Sequence, residues 1–414
     1  MCPDSGKYPS FLAAPPAPVA ALLARYQEVL DAAAPLAAKH RRALPLAIQE
    51  LSALLTRERS DLRGDYLREP RFLHAYLRYF LPWNLYRLAV LLPGLAPQLL
   101  AGAGQGAEPT VVDLGSGPLT AVQALWIACP ELRELPLHVH CLDRAKQVMG
   151  LGRDLLDALA AGAGQGDARA RDARERNPWR VRLVQGPLVK GLGELRGKVQ
   201  VLFAVNVLNE VARSGQASLS GLRRTVGDFV RAAFARLARS KEEGREGGRV
   251  LIVEPGTRLG GTLVSVAREA ALELGGSALA PCTHDLACPA LAKESNLWCH
   301  FRFPALDAPK WLAQLSHQAG LAKESAALSA VLLSAGGQGG ERPEDVARVL
   351  SDPLRTPSGP AWYGCSSRGL LLLGRGEEGL ADPVQGHAVG YAAHDPEKRD
   401  AKSGALAAAI KSSP

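Results

Sequence analysis

The chain has 414 residues, and its 47% apolar and 22% charged content is ordinary for a globular protein of two or three domains, which excludes wholesale disorder. Forty-nine basic against 41 acidic side chains leave a net charge of +8, a balance that suits a polyanionic partner. The richest apolar stretch, Leu88 to Leu100, is interrupted by Pro93 and Pro97, and the start, Met1-Cys2-Pro3-Asp4-Ser5, lacks the regions of an export signal, so no membrane span and a cytoplasmic location are expected.

Residues 1–100 read as an N-terminal helical domain, because apolar residues recur at three- and four-residue steps over Ala20–Ala34, Ala43–Leu55 and Arg71–Leu92. From Thr110 the pattern changes to short β-branched runs alternating with helical ones. Thr110–Leu114, His138–Leu142, Arg180–Val184, Gln200–Val205 and Val250–Val253 are predicted as buried parallel strands. Helices are predicted over Thr120–Ala128, Ala145–Ala160, Ser218–Leu237 and Thr262–Leu274. Such alternation implies a doubly wound α/β domain over 107–275. A cysteine-rich insertion follows at 276–304. Residues 305–375 are expected to complete the same sheet with Leu328–Leu333 and Gly369–Leu373, and 376–414 to form a disordered tail. The hexapeptide Ala-Gly-Ala-Gly-Gln-Gly, at 101–106 and again at 161–166, has the wrong spacing for a dinucleotide loop and reads as a linker.

Val111-Val112-Asp113-Leu114-Gly115-Ser116-Gly117-Pro118 places a Gly-x-Gly turn after a buried strand and before a helix. Glycines suit a turn whose backbone a ligand approaches closely. The third glycine of a pyrophosphate fingerprint is missing, which disfavours NAD and suits a ligand without phosphates. The second strand ends in Asp143, a carboxylate placed either to accept ribose hydroxyls or to cap the next helix. The fourth ends Asn206-Val207-Leu208-Asn209-Glu210 and the fifth Glu254-Pro255-Gly256-Thr257, so four polar clusters share one rim. Together these features resemble a class I S-adenosylmethionine-dependent methyltransferase. The resemblance implies cofactor contacts at Asp113, Gly115, Ser116, Gly117 and Asp143, with Asn206 as the candidate catalytic residue near the transferred methyl. Such transfer needs alignment more than acid–base power. Leu119 stands where that superfamily often keeps glycine or another small residue.

Cys282, Cys288 and Cys299 fall within 18 residues, flanked by Pro, His and Asp, and Cys365 precedes the expected last strand. If that strand lay beside the fifth, four thiols would converge, as suits zinc or an iron–sulfur cluster. Zinc held by the first three with His284 or His300 is the rival arrangement.

The combination of Val-Asp-Leu-Gly-Ser-Gly-Pro, Asn-Val-Leu-Asn-Glu, Val-Glu-Pro-Gly-Thr, Pro-Cys-Thr-His-Asp with Cys-Pro, and Trp-Cys-His-Phe resembles the methyltransferase-like ribosomal small-subunit family over about residues 40–375. That resemblance implies a 4Fe-4S cluster on Cys282, Cys288, Cys299 and Cys365. It also implies action on small-subunit rRNA or the pre-small ribosomal subunit, as a methyltransferase or as a catalytically silent assembly factor. Arg57–Arg71, Arg169–Arg182 and Arg223, Arg224 and Arg231 are the candidate phosphate contacts; a solvated face is the alternative for the first.

Overall fold

The computed structural model describes residues 11–56, 66–99, 108–162, 177–212, 218–238, 247–292, 297–336, 343–376, 380–393, 395 and 398–411. Strands β1 (Thr110–Leu114), β2 (His138–Asp143), β3 (Arg180–Gln185), β4 (Val201–Val205) and β5 (Arg249–Pro255) lie within two residues of their expected positions. They pair in parallel in the order β3-β2-β1-β4-β5. Beyond them come β6 (Ser277–Ala280), β7 (Phe301–Pro304) and β8 (Ser325–Ser334). The ten-residue β8 runs antiparallel between β5 and β6, giving the order 3-2-1-4-5-8-6. The order reverses between β1 and β4, and ligands of open α/β sheets bind at the carboxyl ends beside such a switch point.

Period-two alternation drives the layering. Val201, Phe203 and Val205 of β4 enter one apolar core, while Leu202 and Ala204 enter the other. The second core is closed by the helices Leu219–Arg236 and Arg258–Glu273, capped by the Ser218 and Thr257 hydroxyls, which accept from Gly221 N and Gly260 N. The first core is shared with the N-terminal helices Ala17–Ala33, Ala38–Thr56 and Leu81–Leu99. Residues 11–56 and 66–99 therefore roof one face of the sheet and share its core.

β6 and β7 both pair with β8, at Leu332–Ser334 and Ser325–Leu328 respectively, and run in the same direction. They are two halves of one edge strand, and residues 281–300, which carry three cysteines, are an excursion from its middle.

The C-terminal region departs from expectation. The apolar run Gly369–Leu373 was expected in the main sheet, and 376–414 as a disordered tail. Instead β9 (Val346–Val349), β10 (Leu354–Thr356), β11 (Gly359–Ser366), β12 (Gly369–Gly374), β13 (Ala388–Ala392) and β14 (Leu406–Lys411) form a second sheet. β9 pairs with both β11 and β13, so the ring β9-β11-β12-β14-β13 closes on itself, with only β12 and β14 parallel. This five-stranded order is that of an OB-type barrel. Trp362, Leu371, Leu373, Leu406 and Ile410 fill its interior. Its β11–β12 face is turned to the main body, where Cys365 and Leu370 pack against the first core. Arg348 fastens the two units: its Nε donates to Pro281 O at 2.7 Å and its Nη1 to Gly386 O at 2.7 Å.

A candidate cofactor loop and acceptor cavity

The glycine turn sits at the carboxyl end of β1. Gly115 has φ +67°, and a Cβ there would meet Val207 Cγ2 at 1.9 Å. Gly117 has φ +49°, and a Cβ there would enter open space. The first glycine is thus required by packing, while the second leaves a cradle for something outside the fold. Ser116 is buried and its hydroxyl turns inward, donating to Asp113 O at 2.7 Å. Only its main chain remains for a ligand, and its N–H is already given to Leu142 O.

Asp143 accepts from Gly117 N at 2.9 Å and from Ala145 N at 2.8 Å. The carboxylate does not cap the helix Lys146–Ala160, whose N-cap is Ala145 without a side-chain cap; it closes a local turn at Ala145 and ties the glycine turn to β2. Asp113 is 1% exposed, and its Oδ2 has no hydrogen-bond partner among the described residues. Burial first, and the Asp143 carboxylate second, push its carboxyl well above the usual range. A buried carboxylate with one oxygen unpartnered, next to Asp143 at the glycine turn, fits a ligand that brings positive charge, as an amino-acid-bearing sulfonium does. Leu119 adopts the left-handed region at φ 58° and is fully buried in the first core. Its side chain packs inward, away from the turn.

Asn206 also has a left-handed backbone, φ 59°, with its N–H donating to Val253 O at 2.7 Å. The buried Glu254 holds the following turn, accepting from Leu208 N and from Asn209 Nδ2. These residues line a cavity of about 270 Å³ between the sheet rim and the N-terminal helices. Its other walls were not anticipated: Tyr66, Tyr76, Tyr79, Phe80, Trp83 and Arg87 from the roof, and Lys323 ahead of β8. A signal was present, since seven of the chain's 22 aromatic residues fall between Tyr66 and Tyr86. Tyr76–Phe80 is a π-helical turn, a distortion frequent at functional sites. Burial pushes the Tyr76 hydroxyl upward, and the carboxylates of Glu210 and Asp143 add to it. Lys323 lies over the Tyr79 and Trp83 rings, and burial with nearby Arg87 pushes its ammonium down to about 8.

The four cysteines named from the sequence converge. Burial raises Cys288, Cys299 and Cys365, and the neighbouring thiols raise them further: Cys282 acts on all three, and Cys288 on the last two. Arg268 stands beside them, its Nη2 donating to His284 O and Leu286 O, and His284 Nε2 is 3.3 Å from Cys365 Sγ. Cys365 arrives from the barrel strand β11 and not from the main sheet. The expected metal centre is not formed as such: among the described residues, no three His, Cys, Asp or Glu side chains are arranged to hold a metal ion.

The basic patches are largely compensated. Arg223 donates to both Glu269 oxygens at 2.7 and 3.0 Å, Arg231 pairs with Asp228, and Arg71 with Glu50 and Glu69. Arg57, Arg59 and Arg63, the arginines between 169 and 176, and the first Ala-Gly-Ala-Gly-Gln-Gly copy lie outside the described residues. No helix among the described residues is long and apolar enough to cross a membrane.

Strand order, reversed β8 and the glycine turn at the switch point define a class I methyltransferase fold. Residues 224–312 match the family model for mitochondrial small ribosomal subunit Rsm22, so the resemblance read from the sequence is borne out over a segment that includes Cys282, Cys288 and Cys299. No curated protein matches the chain. Similar solved structures include a methyltransferase from Pyrococcus furiosus, at 16% identity and TM-score 0.29 over 60% of this chain and 85% of that one. A precorrin-6y C5,15-methyltransferase from Geobacter metallireducens overlaps at 14% identity and TM-score 0.32, over 60% and 88%. An rRNA methylase from Streptococcus thermophilus overlaps at 12% and 0.28, over 60% and 96%. The fold assignment rests on the strand order and not on these overlaps.

Proposed function

We propose that the chain is an S-adenosylmethionine-dependent methyltransferase acting on small-subunit rRNA. The observation that carries this reading is the buried Asp113 carboxylate, one oxygen of which is unpartnered among the described residues, at the same glycine turn as the open cradle at Gly117, at the switch point of a class I sheet. In this reading Asp113 meets the charged end of the cofactor, Gly117 lets it approach the main chain, and Asn206 borders the acceptor. When bound, the cofactor would supply an electrophilic methyl group. Asn206, Glu210 and the roof residues hold the acceptor in line. The ribosomal partner is supported by the family match over 224–312. Incubating the protein with radiolabelled S-adenosylmethionine and small-subunit rRNA tests it. Label at one mapped nucleotide, lost on Gly117→Ala, is expected; no label with folded protein that binds RNA would instead mark a silent assembly factor.

The thiol cluster is proposed as the seat of a 4Fe-4S cluster, with zinc as the rival, supported by four partly buried cysteines that share the neighbourhood of Arg268. Metal and sulfide analysis of protein purified anaerobically distinguishes them. Iron and sulfide in equal amounts, lost on Cys299→Ser, is the expected result.

A further inference from the structure

The cavity roofed by the N-terminal helices has a composition that methyl transfer alone does not require. Trp83 and Tyr79 are buried and fixed: the indole donates to Ser316 Oγ at 3.1 Å and the phenol to Leu321 O at 3.4 Å. Tyr76 and Phe80 are only half-buried and stand nearly parallel, with centroids 5.9 Å apart and 25° between planes. The opposite wall is polar, with Asn206, Glu210 and the Asn209–Glu254 pair. Arg87 and Lys323 bring two cationic side chains to the same space. The cavity adjoins the cofactor turn directly, because Val207, next to Asn206, packs on Gly115.

Rigid aromatic faces, a polar edge and flanking cations are what a flat, hydrogen-bonding ring on a phosphate chain calls for. At about 270 Å³ the cavity has room for a single ring system. A ribose hydroxyl would gain nothing from the aromatic wall.

We infer that this cavity receives one nucleobase drawn out of a single-stranded stretch of RNA, held against the Tyr76 and Phe80 rings with its polar edge toward Asn206 and Glu210. This rests on the methyltransferase reading and narrows it: the methyl acceptor is a base atom, not a ribose oxygen. The base leaves its stack at an energetic cost, smallest where the RNA is already unpaired, so loops and unfolded pre-rRNA are the favoured substrates.

The test is photocrosslinking of the full-length protein to a mixed-sequence RNA decamer carrying 4-thiouridine and 6-thioguanosine, with peptides mapped by mass spectrometry. Crosslinks within Tyr76–Arg87 or Asn206–Glu210 are expected. At sub-saturating RNA, Phe80→Ala should lower their yield about five- to hundredfold, as loss of one stacking partner does. Phe80→Leu, which keeps apolar bulk but removes the ring, should give a similar loss with an unchanged melting temperature. Crosslinks confined to residues outside the cavity, or full yield in Phe80→Leu, would overturn the inference, and a methylated peptide in place of RNA would do the same. Titration of S-adenosylmethionine in parallel separates the two ideas. Cofactor binding without cavity crosslinks leaves the methyltransferase reading intact; cavity crosslinks without cofactor binding do the reverse.

Discussion

Two glycines of one turn have opposite reasons for being glycine. Gly115→Ala places a Cβ 1.9 Å from Val207 Cγ2 on a left-handed backbone. The backbone term is about 1–2 kcal/mol and overpacking adds about 1–3, so a clear fall in melting temperature is expected. Gly117→Ala meets no atom, so only the backbone term applies; the protein should stay folded while calorimetry shows loss of cofactor binding. Asp113 adds a pH dependence. Its unfolded carboxyl ionises near pH 4, while burial and Asp143 displace the folded value upward. Between those values the native state keeps a proton that the unfolded state has lost. Stability therefore declines as pH rises from about 4, until Asp113 ionises in the folded protein. Melting curves from pH 4 to 8 should show that decline, and Asp113→Asn should flatten it. Leu119 carries a similar tension between strain and burial. Leu119→Gly relieves a left-handed backbone worth about 1–3 kcal/mol but removes a fully buried side chain worth about 2–5 kcal/mol. A net loss in chemical denaturation is the expected outcome.

At the scale of elements, the excursion 281–300 interrupts an edge strand whose halves stay in line. Replacing it by three extended residues, matching the β8 positions between Leu332 and Leu328, should give one continuous strand. The main sheet should fold and still bind cofactor. The barrel should lose its Arg348–Pro281 and His284–Cys365 contacts, which faster hydrogen exchange in β11 and β12 would report. The parallel strands were legible because each is a short β-branched run between helical repeats. The barrel was not. Leu406-Ala-Ala-Ala-Ile-Lys411 is alanine-rich and has no intrinsic strand signal, and one of its two partners, β12, lies 35 residues back. Gly369–Leu373 reads as a buried parallel strand because both its faces are apolar, one filling the barrel and one docking on the body. The candidate site divides the same way. The glycine turn, Asp143 and Asn206 follow from local motifs, whereas the aromatic roof depends on helices folding back over the rim, a packing that no local spacing encodes.

Over the whole molecule, three layers and a barrel converge on the rim of one sheet. The helix Ala17–Ala33 reaches the glycine turn through buried side chains: the Tyr26 hydroxyl donates to Gln123 Oε1, and Gln123 Nε2 donates to Pro118 O. The roof is thereby coupled to the cofactor loop as well as to the acceptor cavity. The net charge of +8 acts over this assembly, but the exposed arginines at 71, 223 and 231 already hold carboxylates. RNA affinity should accordingly depend on salt through few net contacts, each contributing a log–log slope of about 0.7–0.9. Neutralising Glu269 by Glu269→Gln should free Arg223 and steepen that slope by about one contact in a filter-binding series. The most direct test of the central claim is calorimetric titration of S-adenosylmethionine into anaerobically purified protein. Saturable one-to-one binding that disappears in folded Gly117→Ala is the predicted result; a flat titration of the folded wild-type chain would contradict a cofactor site at this turn.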